Sequence, residues 1–264
     1  MVRQRADVTL VERGLYPSRH RARAAIMAGE VSIGGVPVRK AGEMVDPAVD
    51  FELAARSEYV SRGGLKLAGA IDAFALNMRG ARALDVGAST GGFTDCLLQE
   101  GAKEVTALDV GYGQLAWSLR QDERVRVLER TNIRSVEKET LGEPFDVIVI
   151  DVSFISLAKV LPHAVPLLAE SGNLVALVKP QFEAGKVRVG KKGVVRDPSV
   201  HEDVLRAAVD AVRAHGLVVR GLTWSPLKGP EGNIEFWLWA AGGGEPALAD
   251  PADVVAGAHA ELEE

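Results

Sequence analysis

In the stretch after residue 80, short apolar runs recur along the chain and each ends in a polar or glycine-bearing turn. They read "ARALDVG", "EVTALDVG", "RVRVLER", "FDVIVIDVS", "GNLVALVKP", "LVVRGLTWSP" and "EFWLWAA". Continuous apolar runs of this length, rather than strict alternation, predict strands buried on both faces of a parallel sheet covered by helices. Helical stretches such as "FTDCLLQEG" and "LAWSLRQD" fall between the earlier runs, and "VHEDVLRAAVDAVRAHG" is an amphipathic helix ahead of the last two. Only a loop separates those last two runs, so they are expected to pair antiparallel. The pattern is α/β: a Rossmann-like, mostly parallel seven-stranded sheet with one antiparallel strand.

The pattern before residue 55 is different. "ADVTLVERG" and "SRHRARAAIMAG" predict two short helices, with Ser18 as N-cap and Gly14 and Gly29 at helix ends. "EVSIGGVPVRK" alternates about Gly34-Gly35, the signature of a tight hairpin, and "DFEL" supplies a further short strand. The expected organisation is a small α+β domain over 1–55, a linker over 56–62, the large domain over 63–240, and a tail over 241–264.

The formal charge of −5 argues against a nucleic-acid partner until its distribution is considered. Glu245, Asp250, Asp253, Glu261, Glu263 and Glu264 lie in the tail, which has no Lys or Arg, and without them the body is slightly positive. The tail is also rich in Gly, Ala and Pro, so it is expected to be disordered. At the other end, Arg3, Arg5, Arg13, Arg19, Arg21 and Arg23 face only Asp7 and Glu12. That basic end keeps nucleic acid open as a partner. A single cysteine, Cys96, excludes a disulfide framework and a multi-cysteine metal site. With neither a secretory h-region nor an apolar run long enough to span a bilayer, the expectation is a cytoplasmic protein with no membrane partner.

Candidate chemistry centres on "LDVGASTGGFTD", Leu84 to Asp95. Dinucleotide binders place G-x-G-x-x-G at such a turn so that backbone N–H groups meet a pyrophosphate. Here Gly87 is followed by Ala88-Ser89-Thr90 and then Gly91-Gly92, and an acid, Asp85, stands just before the loop. An acid at that point suits a ligand with a free amine, as S-adenosylmethionine has. Asp109, ending the second strand, stands where an acid accepts ribose hydroxyls, and Asn132 follows the third strand where adenine is bordered. Asp85, Gly87, Ser89, Thr90, Gly91, Gly92, Phe93, Asp109 and Asn132 are the expected cofactor set, with no metal.

The methyl acceptor is read from what is present and what is missing. Amine methylation commonly uses a [DN]-P-P-[YF] clamp after the fourth strand, and this chain has "DVSF", Asp151 to Phe154. Carbon methylation of cytosine needs a cysteine nucleophile, and Cys96 lies on the helix after the cofactor loop. A ribose hydroxyl needs a base, which a lysine can be when carboxylates orient it. Asp151, Lys179, Glu235 and Lys66 lie at strand or helix ends and supply such a set.

"YVSRGGLKL", "LDVGASTGGFTD", "DVSFISL", "VKPQFEAGK" and "NIEFWLW" together resemble the TlyA (hemolysin A) family of rRNA 2′-O-methyltransferases over about residues 1–240. The resemblance implies a class I methyltransferase domain like that of the FtsJ/RrmJ enzymes, whose Lys-Asp-Lys-Glu tetrad matches Lys66, Asp151, Lys179 and Glu235. It makes Lys179 the base and the other three its support. The N-terminal segment is similar to the αL RNA-binding fold, which implies phosphate contacts for Arg3, Arg5, Arg19, Arg23 and Lys40, with Arg62 added at the start of the large domain. A full N-terminal module led by "VRQR" resembles the longer subtype of the family, which implies cytidine as target in both 16S and 23S rRNA. The implied partner is rRNA in ribosomal subunits, bound by a monomer. The alternatives are a non-catalytic ribosome-binding factor that has kept the fold, and a membrane-lysing protein, as the family's older name has it.

Overall fold

The computed structural model describes residues 3–27, 29–53, 58–229, 231–247 and 249–262. The chain divides into two compact units, Met1–Glu58 and Tyr59–Glu264.

In the first unit, β1 (Gln4–Arg5) leads into α1 (Ala6–Glu12) and α2 (Arg19–Met27), followed by β2 (Val31–Ile33), β3 (Val36–Pro37), β4 (Met44–Val45) and β5 (Phe51–Leu53). Ser18 Oγ accepts the Arg21 N–H at the start of α2, as its capping role requires. Gly34 and Gly35 both have positive φ, 56° and 74°, and join β2 to β3 in a two-residue hairpin with Ile33 opposite Val36. β5 pairs antiparallel with β2. The antiparallel pair β1–β4 is too short to show as a pattern in the sequence. Leu10, Ala22, Ile26 and Val31 form the core of this unit.

The second unit begins with α3 (Arg62–Phe74), β6 (Arg82–Val86), α4 (Gly92–Gln99), β7 (Glu104–Leu108), α5 (Trp117–Arg120), β8 (Val125–Leu128), α6 (Lys138–Leu141) and β9 (Phe145–Ile150). It continues with α7 (Leu161–Ala164), β10 (Leu168–Val178), α8 (Pro180–Glu183), α9 (Pro198–Ala214), β11 (Val218–Trp224), β12 (Phe236–Ala241) and α10 (Pro251–Leu262). Seven strands form one sheet in the order β11-β12-β10-β9-β6-β7-β8, and β12 alone runs antiparallel to both its neighbours. Alternate strand residues feed opposite cores. Leu84, Ile148 and Leu238 pack with Val204 and Leu205 of α9, while Ala83, Val147 and Trp237 pack with Leu67 of α3 and Leu97 of α4. Burying a side chain of this kind fully contributes about 1.5–3 kcal/mol, so both faces hold their helices firmly.

The structure departs from the sequence reading in two places. The tail is not disordered throughout: Pro251, Val254, Val255 and Ala258 of α10 are buried, and Val254, Val255 and Ala258 join the core that contains α9. Their spacing is an apolar helical stripe that small residues and acids made inconspicuous. Glu263 and Glu264 lie outside the described residues. So do residues 56–57 of the expected linker, but Tyr59 is buried in the second unit and Arg62 already begins α3. Tyr59 packs where Gly64 has no side chain, since a Cβ there would run into its ring.

Candidate active site

Strand register assembles the site. Val86 of β6 stands beside Ile150 of β9, so the next residues, Gly87 and Asp151, leave the sheet together. A Cβ on Gly87, at φ 93°, would run into the Asp151 carbonyl oxygen, which explains the glycine. On the other side, Val178 of β10 stands opposite Phe236 of β12. Because β12 is antiparallel, its first residue lies at the edge where the parallel strands end. Lys179 and Glu235 are thereby brought to the same edge as Asp151.

Lys66 reaches this edge from α3. Its Nζ lies 2.5 Å from Glu235 Oε2, with the two side chains 9% and 1% exposed, so this is a buried ion pair. Gln181 Nε2 donates to the other Glu235 oxygen at 3.3 Å. Lys179 Nζ forms an ion pair with Asp151 and lies 3.5 Å from Ser153 Oγ. Lys66, Asp151, Lys179 and Glu235 line one cavity of about 240 Å3, shared with Arg62 and Phe93. The Phe93 ring packs on Trp237 with centroids 5.5 Å apart, so much of that side chain belongs to the core. Cys96 is fully buried in α4 and does not line this cavity.

A larger cleft of about 460 Å3 shares Gly87, Ser89 and Asp151 with the first and extends past Asp109 and Asn132 to Val152. Ser89 has φ 49°, and its backbone N–H donates to Asp109 Oδ2 at 2.7 Å, while the Gly111 N–H donates to Asp109 Oδ1 at 2.6 Å. Both oxygens of Asp109 are thereby held in place where the residue lines the cleft. The Thr90 carbonyl accepts the Ala116 N–H, and Thr90 lines the smaller cavity with the two ion pairs. Gly91, at φ 96°, sits against Leu115 and Leu119 where a Cβ would clash, and Gly92 opens α4. Asn132 is exposed, and its side-chain oxygen accepts the Arg134 N–H.

Asp85 lies beneath this loop, fully buried. Thr94 donates to one of its oxygens at 2.7 Å, and the other has no hydrogen-bond partner among the described residues. Burial pushes the Asp85 carboxyl up to about 7, against the Thr94 hydrogen bond and with the Asp151 charge adding to the rise. A buried acid under a glycine loop, with one oxygen bonded by Thr94 and the other left over, fits a ligand that brings a cation. Asp85 itself lines neither cavity. A carboxylate at Asp109 and an apolar wall at Ile133 and Val152 fit a nucleoside. S-adenosylmethionine combines these features, and the residues present suit it.

In the first unit, Arg3, Arg5, Arg19, Arg23 and Lys40 are all exposed. Asp7, only 2% exposed, organises two of them: Arg5 grips it through two bonds of 2.9 and 3.1 Å, and Arg19 reaches it at 3.0 Å. The Arg5 hydrogen bond, with Arg19 behind it, holds the Asp7 carboxyl below its usual range. The sequence reading gives Asp7 no orienting role, because Arg19 reaches it only in the folded chain. Ser153 and Gln181, also missed, lie inside motif strings already singled out, but nothing in their spacing announces a contact.

Residues 59–241 match the FtsJ-like methyltransferase family, and residues 4–50 match the S4 domain. The chain is 51% identical over 241 residues to YqxC of Bacillus subtilis, covering 89% of this chain and 85% of that one. The chain belongs to the TlyA/hemolysin A family of FtsJ-like methyltransferases. It is 49% identical over 239 residues to the 16S/23S rRNA (cytidine-2′-O)-methyltransferase TlyA of Mycobacterium tuberculosis, covering 90% of this chain and 89% of that one. The solved structure of a hemolysin-like protein from Streptococcus thermophilus aligns with a TM-score of 0.77 at 42% identity, covering 100% of this chain and 98% of that one. Among the described residues, no helix is long and apolar enough to cross a membrane.

Proposed function

We propose that this protein transfers a methyl group from S-adenosylmethionine to the ribose 2′-oxygen of cytidine in both 16S and 23S rRNA. The observation that carries the reading is the single cavity in which a lysine–aspartate and a lysine–glutamate ion pair meet beside the cofactor cleft. Relatives named for the cytidine-2′-O reaction at about half identity support the acceptor and the rRNA substrate.

The cofactor supplies an electrophilic methyl group on a sulfonium. The residues do the rest. Asp85 would pair with the cofactor's ammonium end, Asp109 would accept its ribose hydroxyls, and Asn132 would border its base. The target 2′-hydroxyl enters the tetrad cavity. Lys179 Nζ first gives up the proton of its ion pair with Asp151. The free amine then takes the proton of the target 2′-hydroxyl and becomes an ammonium ion. That oxygen is left to receive the methyl, which the sulfonium would release in becoming a neutral thioether. Asp151 lies in ion-pair range to stabilise that charge. Lys66, held by Glu235, places a fixed positive charge on the cavity wall. Arg62 opens onto the same cavity and meets the substrate's phosphate.

The N-terminal unit binds folded rRNA through Arg3, Arg5, Arg19, Arg23 and Lys40, positioning the enzyme rather than reading bases. The substrate puts the enzyme in the cytoplasm, acting as a monomer. Alkaline hydrolysis tests the acceptor, because cleavage needs a free 2′-hydroxyl. After incubation with S-adenosylmethionine, the ladders of 16S and 23S rRNA should each gain a gap at a cytidine. Unbroken ladders alongside incorporated methyl would show methylation at another atom.

A further inference from the structure

The turn that follows β10 makes a separate contact at nearly every residue. Lys179 pairs with Asp151, and Gln181 donates to Glu235. The Phe182 ring lies 5.0 Å from that of Phe154. Glu183 then uses both oxygens on one partner loop: Oε2 accepts the Ser156 hydroxyl at 2.7 Å, and Oε1 accepts the Leu157 backbone N–H at 2.7 Å. Ser156 is itself a cap, its Oγ accepting the Ala158 N–H of the short 3-10 turn Leu157–Lys159.

The loop held in this way is the one that carries Asp151. Its first residue is fixed to the sheet by the Asp151 N–H donating to the Val86 carbonyl at 2.9 Å. Its middle is loosely supported: Ser153 is exposed and Phe154 is 90% exposed at φ 64°, a strained conformation for that residue. Leu157 is buried again. Glu183 therefore holds the far end of the Asp151 loop, and it does so from the short helix that follows Lys179. A carboxylate accepting two short hydrogen bonds is a stiffer link than apolar contact alone.

We infer that Glu183 is a positioning residue for the methyl transfer, an inference that rests on the reading above. Bridging from α8 to Ser156 and Leu157, it fixes the separation of the Asp151 carboxylate and the Lys179 amine, and so where the proton goes. It touches neither the cofactor nor the target hydroxyl. A small displacement of the base costs rate without costing affinity.

The test compares wild type with Glu183→Ala, Glu183→Gln and Ser156→Ala. It measures methyl transfer to ribosomal subunits at saturating S-adenosylmethionine, and cofactor affinity by calorimetry. Glu183→Ala should lower kcat by about 10- to 100-fold, with KM for rRNA and Kd for S-adenosylmethionine within about threefold of wild type. Glu183→Gln keeps an acceptor for the Leu157 N–H and should restore most of the rate. Ser156→Ala removes one of the two bonds, so its loss should be smaller, and it should add little in the Glu183→Ala background. If Glu183→Ala does not fold, Ser156→Ala carries the test through the same split of kcat from KM. An unchanged kcat in a folded variant, or a loss of cofactor affinity equal to the loss of rate, would overturn the role of Glu183 and leave the methyl-transfer reading standing. No transfer by wild type would overturn both.

Discussion

Asp85 gives the cofactor reading a consequence visible without any methyl acceptor. Its carboxyl is pushed up to about 7 by burial, whereas the usual value is 3.8. Because the folded value is the higher one, protonation favours the fold, and ionisation costs it stability. At pH 8 the folded and unfolded chains both carry the charge, and the full cost is present. The gap between the two values corresponds to roughly 4 kcal/mol. As pH falls through 7 the folded carboxyl takes up its proton, and by pH 5 only about 2 kcal/mol remains. Asp85→Asn removes the charge at nearly constant shape. Without cofactor, the variant should be more stable than wild type at pH 8 by a few kcal/mol, and by clearly less at pH 5. Urea titration followed by tryptophan fluorescence reads this directly, since Trp117, Trp224, Trp237 and Trp239 all belong to the second unit. S-adenosylmethionine should then narrow that difference at pH 8. At about 100 times Kd it adds about 2.7 kcal/mol to wild type, and it adds little to a variant that has lost the partner of its ammonium group. A difference independent of pH, or equal stabilisation of both proteins by cofactor, would refute the reasoning.

Other consequences follow from single contacts. Lys66→Met leaves Glu235, 1% exposed, with Gln181 as its remaining side-chain hydrogen-bond partner among the described residues, and should destabilise the second unit by about 3–5 kcal/mol in urea titration. Gly92→Ala places a Cβ 2.8 Å from the Gly64 nitrogen and into Ser61 Oγ. It should cost about 1–3 kcal/mol, seen as a lowered Tm, because backbone must move. Val255→Ala removes two methyl groups from a site 1% exposed and should cost about 2 kcal/mol; a change near zero would mean that α10 is loosely attached in solution.

Much of the fold was legible because each strand is a short, continuous apolar run ended by a functional turn. "ALDVG" and "VIVID" show both the buried strand and the residue that leaves it at the site. The reversal of β12 was legible because no helix-length segment separates it from β11. What the sequence hides is register. Nothing in the spacing says that Val86 aligns with Ile150 or that Val178 aligns with Phe236, yet those pairings bring Asp151, Lys179 and Glu235 together. Their places at strand ends and the need for a base suggested the grouping, and the resemblance to known enzymes made it a tetrad, but neither gives the register. α10 was hidden for a different reason. Its apolar stripe is built of valine and alanine among acids and glycine, a composition that local reading assigns to solvent. Asp7 and Glu183 were hidden because an acid's partner depends on folding: Asp7 meets Arg19 across a helix–helix turn, and Glu183 meets Ser156 from another strand's loop.

The central claim is that Lys179 removes the proton from a cytidine 2′-hydroxyl of rRNA. The measurement closest to it gives wild type and Lys179→Ala methyl-labelled S-adenosylmethionine with purified small and large subunits, then digests the RNA to nucleosides. Wild type should label 2′-O-methylcytidine. Lys179→Ala should bind the cofactor normally yet transfer about 10²- to 10⁴-fold more slowly. Equal labelling by the two proteins would remove Lys179 as the base. Label in a base-methylated nucleoside would contradict the acceptor, and none in any rRNA, with the cofactor bound, would leave a ribosome-binding factor that has kept the fold.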